Sequence, residues 1–347
     1  INMLQSLSLF GLAGLSFIIY WMNAAIAGAL LKRKVNTGLL ISLAVAAFIL
    51  LFGSLRFDLG NSKGTETISI AAVGTDSEIS GLPLPSKESN EEVIHAIFKR
   101  TAKAAEFGAE VVVWNEAAFY LEKAHEKQWL DSIAMQAKHH GVTIVASYVV
   151  PCSESPFRYE NKYQFIHPGG SVEFEYIKHQ PVPGEPAVKG TGPQRIKKVS
   201  ASNIGGAICY DYDFPYLAKG NQLAGADIVA LPSSDWRGID PLHSKMAAFR
   251  AIEQGHSILR STRFGLSAAI TPYGEMRTQM SSFDDNDKIM MARLPAKGIS
   301  TMYAMIGDVL VYLCIAYLLF ITGLIILKKK VYAIPSLFDL GRLSTTI

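Results

Sequence analysis

Charge is what this sequence has least of. Asp, Glu, Lys and Arg make up 18% of its 347 residues against 49% hydrophobic, and mean hydropathy is positive at +0.21, the balance of a chain with membrane segments. The deficit is local, because residues 1–31, 35–55 and 309–327 carry no charged side chain at all. Each run reaches the ~20 residues that an apolar helix needs to cross a bilayer, so three spans are expected. Cysteine is scarce as well. Cys152, Cys209 and Cys314 are too few for a disulfide framework, and Cys314 falls inside the third run. A Cys152–Cys209 bridge stays open at this point, and it would remove any thiol chemistry. Neither a G-x-G-x-x-G nor a P-loop pattern is present, which leaves nucleotide binding without support. Eight histidines include no H-E-x-x-H or paired ligand spacing, so metal catalysis is not expected; no other cofactor is expected either. His139 and His140 precede Gly141, where a helix end suits a capping or surface role.

What charge there is sits at informative places. Lys32, Arg33 and Lys34 follow the first apolar run instead of preceding it, which argues against a signal peptide. They lie between runs one and two, and Lys328, Lys329 and Lys330 follow run three. Lys- and Arg-rich flanks face the cytoplasm, so both clusters predict that everything from about Arg56 to Tyr303 is outside. These anchors carry most of the net charge of +3, and no basic patch interleaved with aromatics suggests nucleic acid. The expected organisation is two membrane helices over 1–56, an extracytoplasmic domain over 57–302, a third membrane helix over 303–330 and a cytoplasmic tail over 331–347.

Between the spans the composition becomes that of a layered α/β domain. Strands are expected over Thr67–Val73, Val111–Trp114, Val142–Val150, Asp227–Leu231, Ser257–Ser261, Gly265–Thr271 and Asp287–Leu294. Tyr163–His167 and Val172–Ile177, joined by Pro168-Gly169-Gly170, read as a hairpin. Helices are expected over Glu91–Phe107, Lys123–His140, Phe214–Ala224 and Pro241–Gln254, with Gly74–Asn90 as a loop. Alternating helices and fully apolar strands imply sheets covered by helices.

Three polar residues fall at or just after apolar strand ends: Glu116 behind Val111–Trp114, Lys178 behind Val172–Ile177, and Cys209 at the end of Ile204-Gly-Gly-Ala-Ile-Cys. A buried free cysteine commonly packs as a small hydrophobe, a strand-end Glu is commonly a cap, and a Lys in a Pro/Gly loop is commonly surface. Together they make an acyl-transfer set: a carboxylate as base, a thiol as nucleophile, and an ammonium that favours the thiolate and a developing oxyanion.

The segments Val-Val-Val-Trp-Asn-Glu116, Tyr-Ile-Lys178 and Gly-Ala-Ile-Cys209-Tyr-Asp resemble the Glu-Lys-Cys motifs of the nitrilase, or carbon-nitrogen hydrolase, superfamily. More narrowly, the order of blocks through Val182-Pro183-Gly184-Glu185, Ala226–Trp236, His243 to Gly255 and Arg260 to Ala268 is similar to the bacterial apolipoprotein N-acyltransferase family. The resemblance implies a nitrilase-like α-β-β-α sandwich anchored by transmembrane helices in a bacterial inner membrane, with the catalytic domain on the periplasmic side. It implies a ping-pong transfer of a fatty acyl chain from a phospholipid, through a Cys209 thioester, to the amine of a diacylglyceryl-cysteine lipoprotein. In that scheme Glu116 is the base and acid and Lys178 the oxyanion stabiliser, while Glu185, Tyr210 and Asp211 support the site. Asp211 stands for the usual Glu, Asn115 replaces a usual proline, and Ser233–Gly238 is altered. Two spans precede the domain where the family has seven, which fits either a shortened relative or a piece of a longer chain. A membrane-anchored amidase and a catalytically silent scaffold are the competing readings.

Overall fold

The computed structural model of the protein describes residues 1–60 and 65–327. The expected Lys328–Lys330 anchor and the tail at 331–347 lie outside the described residues. Among the described residues, twelve strands form two six-stranded sheets. The first contains β1 (Thr67–Val73), β2 (Val111–Trp114), β3 (Thr143–Glu154), β4 (Phe157–Ile166), β5 (Val172–Ile177) and β12 (Ile289–Pro295), in the order β12-β1-β2-β3-β4-β5. The second contains β6 (Lys197–Val199), β7 (Ser202–Gly206), β8 (Ile228–Ser234), β9 (Ser257–Arg263), β10 (Leu266–Ile270) and β11 (Met276–Ser281), in the order β11-β10-β9-β8-β7-β6. The centre of each sheet is parallel, β1-β2-β3 in one and β7-β8-β9 in the other, and the antiparallel strands lie outside.

The apolar strand runs follow from burial on both faces. On the first sheet, Ile68, Ile70, Ala72, Val111, Val113 and Val145 meet Ile204, Ile228 and Leu259 of the second sheet in one core. The alternate residues Ala71, Val73, Val112, Trp114 and Ile144 pack outward under α3 (Lys87–Glu106) and α4 (Glu126–His140), through Ile94, Ile97, Ile133 and Ala137. Over the second sheet lie α5 (Pro215–Leu223) and α6 (Leu242–Gln254), which bury Ala218, Ala247, Ala248 and Ala251. The order is helix, sheet, sheet, helix, as expected.

Boundaries differ where a cap or an edge decides them. Helix α3 starts four residues before the expected Glu91, because Ser86 Oγ accepts the Ser89 N–H at 3.2 Å and caps the turn. Strand β4 starts at Phe157, not Tyr163, through its long antiparallel pairing with β3. Strands β6 and β11 were not expected. Each is a sheet edge with half-exposed polar residues, so neither carries an apolar run.

Among the described residues, three helices are long and apolar enough to cross a membrane: Met3–Leu31, Thr37–Gly60 and Val309–Ile326. The first contains α1 (Leu7–Leu31), the second is α2 (Thr37–Gly60), and the third belongs to α8 (Val309–Leu327), which follows the short α7 (Met302–Ile306) in sequence. Helix α1 is broken at Gly11, which sits at φ 64°, ψ −170°. The break releases the Leu12 N–H, which donates to Glu253 Oε1 of α6 at 2.9 Å. Around it Leu7 and Leu15 pack on Ile252, and Gln5 Nε2 donates to the Tyr273 carbonyl at 2.8 Å. A Cβ on Gly11 would lie 2.4 Å from the Tyr303 ring. Positive φ and that clash act together, so Gly11→Ala is expected to destabilise the protein by about 1–3 kcal/mol. Thermal unfolding in detergent checks this, and an unchanged midpoint would contradict it.

Candidate active site

Glu116 follows β2 by two residues, and its N–H donates to the Ser233 carbonyl at 3.3 Å, tying the first sheet to β8 of the second. Asn115 braces the turn from below: its Oδ1 accepts the Thr75 N–H at 2.7 Å and its Nδ2 donates to the Glu116 carbonyl at 2.9 Å. Lys178 follows β5, and its N–H donates to the Asn161 carbonyl of β4 at 2.8 Å. Cys209 is not at a strand end. It lies three residues past β7 at the start of a 3-10 turn, Cys209–Asp213, with φ 47°. A non-glycine residue at positive φ is held there by its surroundings, and Asp211 supplies the hold. Its Oδ2 accepts the Ile208 N–H at 3.1 Å and the Tyr176 hydroxyl at 2.9 Å, and its Oδ1 accepts the Gln180 N–H at 2.6 Å. One carboxylate thus fixes the cysteine turn to the segment just after Lys178. Burial pushes the Asp211 pKa up against these bonds.

Glu116, Lys178 and Cys209 are all buried and line one cavity of about 320 Å³. Lys178 Nζ lies 2.7 Å from Glu116 Oε1 and 2.8 Å from Glu185 Oε2. Glu185 comes from the loop after β5, where Val182 N–H donates back to Glu185 Oε2 at 2.9 Å. Asn161 joins the two carboxylates, donating to Glu116 Oε1 at 2.8 Å and Glu185 Oε1 at 2.9 Å. The expected Glu, Lys, Cys and second Glu therefore meet. Tyr210 turns instead to the Phe214 ring, edge-on at 5.1 Å between centroids.

Electrostatics defines the resting protonation. Burial opposes the Lys178 charge, but Glu116, Cys209 and Glu185 outweigh it and hold the pKa above the ordinary lysine value. Burial likewise works against the Glu116 carboxylate, and Lys178 outweighs it, so the group stays ionised. Cys209 is the reverse case: burial and the neighbouring Glu116 charge push its thiol well above the ordinary value, with Lys178 only partly offsetting them. The resting state is an ion pair beside a neutral thiol whose Sγ donates to the Ser234 carbonyl at 3.3 Å. Cys152 and Cys209 are both free, so the alternative bridge is absent.

Sequence reading gave no role to the network behind Cys209. Arg260 grips Asp235 through Nη1 to Oδ2 at 2.8 Å and Nη2 to Oδ1 at 2.9 Å. His243, at the start of α6, lies between Asp235 Oδ1 at 2.7 Å and Asp213 Oδ1 at 3.0 Å. Ligand atoms of Cys209, Asp235 and His243 lie within 4.8 Å of one another, close enough to consider a metal ion. Both Asp235 oxygens and both His243 nitrogens already face protein partners, so this donor set does not suit one.

Asp235 has its pKa held at about 2, below the ordinary 3.8, because His243 and Arg260 outweigh the cost of its burial. A carboxylate depressed on folding stabilises above its unfolded pKa and loses that contribution as pH falls through the folded one. The gap in stability between the protein and Asp235→Asn is accordingly expected to narrow by about 2 kcal/mol between pH 6 and pH 2. Denaturant unfolding across that range checks it, and a constant gap would contradict it.

Two face-to-face mixed sheets, clad by helices and gathering a cysteine, a lysine and two glutamates around one cavity, define an α-β-β-α sandwich with a buried thiol. The sequence pattern of the carbon-nitrogen hydrolase family matches residues 69–303, and the chain belongs to that family. It is similar to an apolipoprotein N-acyltransferase from Borreliella burgdorferi, at 24% identity over 92% of this chain and 68% of the relative. A second protein of that name, from Shewanella oneidensis, is 26% identical over 90% of this chain and 65% of the relative. One from Bradyrhizobium diazoefficiens is 31% identical over 58% of this chain and 42% of the relative. The chain thus spans about two thirds of the length of the first two. Among solved structures, an amidase from Nesterenkonia sp. AN1 superposes with a TM-score of 0.57 at 17% identity, covering 72% of this chain and 97% of the amidase. A carbon-nitrogen hydrolase from Helicobacter pylori G27 gives a TM-score of 0.55 at 17% identity, covering 66% of this chain and 89% of that protein.

Proposed function

We propose that this protein is a membrane-held acyltransferase that moves a fatty acyl chain from a phospholipid to the N-terminal amine of a diacylglyceryl-cysteine lipoprotein. The observation that carries the reading is the reach of the likeness. A match over 92% of the chain to a protein named apolipoprotein N-acyltransferase takes in apolar helices as well as the sandwich. Helices of this kind hold the cavity at a bilayer, where both lipid substrates reside.

The chemistry follows from the resting protonation. Cys209 Sγ attacks the ester carbonyl of the donor while Glu116 takes the thiol proton, so the high thiol pKa is overcome only as the S–C bond forms. Lys178 stabilises the negative charge that moves to the carbonyl oxygen. Glu185 and Asn161 keep Lys178 and Glu116 in register. The C–O bond breaks, Glu116 returns the proton to the leaving oxygen, and a lysophospholipid departs, leaving a thioester. The lipoprotein amine then attacks the thioester carbon, Glu116 takes a proton from the nitrogen, the C–S bond breaks and the thiol reforms. Basic Lys32, Arg33 and Lys34 favour a cytoplasmic loop between the first two spans, with the sandwich on the opposite, periplasmic side.

The test is incubation of the full chain with phospholipid and a diacylated lipopeptide, followed by mass spectrometry. A triacylated peptide is expected. Release of free fatty acid without that product would mean that water resolves the thioester and would overturn the acyltransferase reading.

A further inference from the structure

Two arginines on the cavity wall differ in what balances them. Arg260 is paired with Asp235. Arg263, the last residue of β9, is 5% exposed, yet among the described residues it meets only neutral oxygens. Its Nε donates to Ser234 Oγ at 3.0 Å, and its terminal nitrogens donate to the Ser77 and Ile79 carbonyls. A guanidinium has five N–H donors, so two remain. Burial pulls the Arg263 pKa down, while Glu116 and Glu185 hold it up from a distance. The carboxylates that offset Arg263 act only at a distance, so an anionic group at hydrogen-bond range of its two free N–H donors would be favoured.

Arg263 also stands on a boundary. It lines the cavity with Cys209 and a second, more open cavity of about 500 Å³, and the two share Ile79, Ser80, Ser234, Asp235 and Trp236. In the second cavity Arg237 lies 3.9 Å over the Phe283 ring. The carboxylates there are Glu78 and Asp235, and Asp235 is neutralised by Arg260 and His243. Two guanidinium groups therefore face one uncompensated carboxylate, between the apolar walls of Trp236, Phe264 and Phe283.

We propose that this second cavity seats the phosphodiester of the acyl-donor phospholipid, with Arg263 and Arg237 as its counter-charges. The assignment rests on the acyltransferase reading. In a glycerophospholipid only a few bonds separate the ester carbonyl from the phosphate, so adjoining cavities suit one molecule, its ester at Cys209 and its phosphate next door. Arginine forks match phosphate oxygens in geometry and charge. The acceptor brings an amine to the site, which two arginines do not attract.

Binding to Cys209→Ala in the full chain separates this from catalysis. Calorimetry would compare dihexanoylphosphatidylethanolamine with dihexanoylglycerol, which lacks the phosphate, and with inorganic phosphate. At least tenfold tighter binding of the phosphate-bearing lipid is expected, falling to within twofold when Arg237→Ala and Arg263→Gln are added. Arg237→Ala alone changes an exposed residue and should weaken the phospholipid at least threefold. Equal affinity for the two lipids, a preference that survives both replacements, or no effect of Arg237→Ala overturns the assignment. Inorganic phosphate binding as tightly as the lipid overturns the lipid source. If the preference holds but the unmodified protein forms no thioester from phospholipid, the headgroup site stands and the acyltransferase reading falls.

Discussion

Exchange of Lys178 for Met is expected to lower the stability of the sandwich by about 3–5 kcal/mol and to slow thioester formation at least about 10²-fold. The stability loss follows from what remains. Glu116 and Glu185 are both buried against the Lys178 ammonium, at 2.7 and 2.8 Å, and share Asn161 as a second side-chain donor. Without the ammonium, two buried carboxylates face each other across one pocket, and at least one is expected to take a proton on folding. The protonated group cannot serve as base, so rate and stability fall for the same reason. Adding Glu185→Gln to Lys178→Met removes one of the stranded charges and should recover part of the stability without recovering the rate. Unfolding in detergent and single-turnover acylation measure the two quantities. A Lys178→Met protein within about 1 kcal/mol of the unmodified one would contradict the ion-pair account.

Cys209→Ser separates the nucleophilic role proposed for this residue from its part in the fold. The thiol donates to the Ser234 carbonyl at 3.3 Å, and a hydroxyl can make the same bond, so stability should change by no more than about 1 kcal/mol. Acyl transfer should fall at least about 10³-fold, or ~4 kcal/mol of transition-state stabilisation. Glu116 is already weakened as a base by Lys178, and a hydroxyl is a poorer nucleophile than a thiol that must lose the same proton. Product rates measured with the diacylated lipopeptide test this, and retention of more than a tenth of the activity would contradict it.

The layers of the fold were legible because burial on both faces writes continuous apolar runs, as in Val111–Trp114 and Ile228–Leu231. Glu116, Lys178 and Cys209 could be picked out because polar residues ending such runs break the pattern, whereas Glu185, in a Pro/Gly loop, was reached only through the family resemblance. Asn161 was lost with the first half of β4. Tyr159, Asn161, Tyr163 and Phe165 occupy alternate positions of that strand, and a lone amide on a face of aromatics was the available signal. The Asp235–His243–Arg260 network could not be read, since its members are separated by 8 to 25 residues along the chain and meet only when β8, α6 and β9 are stacked. Arg263 was hidden for a related reason. Nothing local distinguishes an arginine paired with a carboxylate, as Arg260 is, from one held by carbonyls. Asp211 was legible as part of the site, and its bonds to Gln180 and Tyr176 give its task, which is to hold the Cys209 turn against the Lys178 segment.

In the proposed reaction Cys209 carries the acyl chain. The most direct measurement is the intact mass of the full chain after brief exposure to a phospholipid with one defined acyl length and no acceptor. A mass increase of one acyl group is expected, mapped to the Cys209 peptide, discharged by hydroxylamine and absent from Cys209→Ala. An unmodified protein under conditions where the triacylated lipopeptide still forms, or an adduct mapped elsewhere, would contradict it.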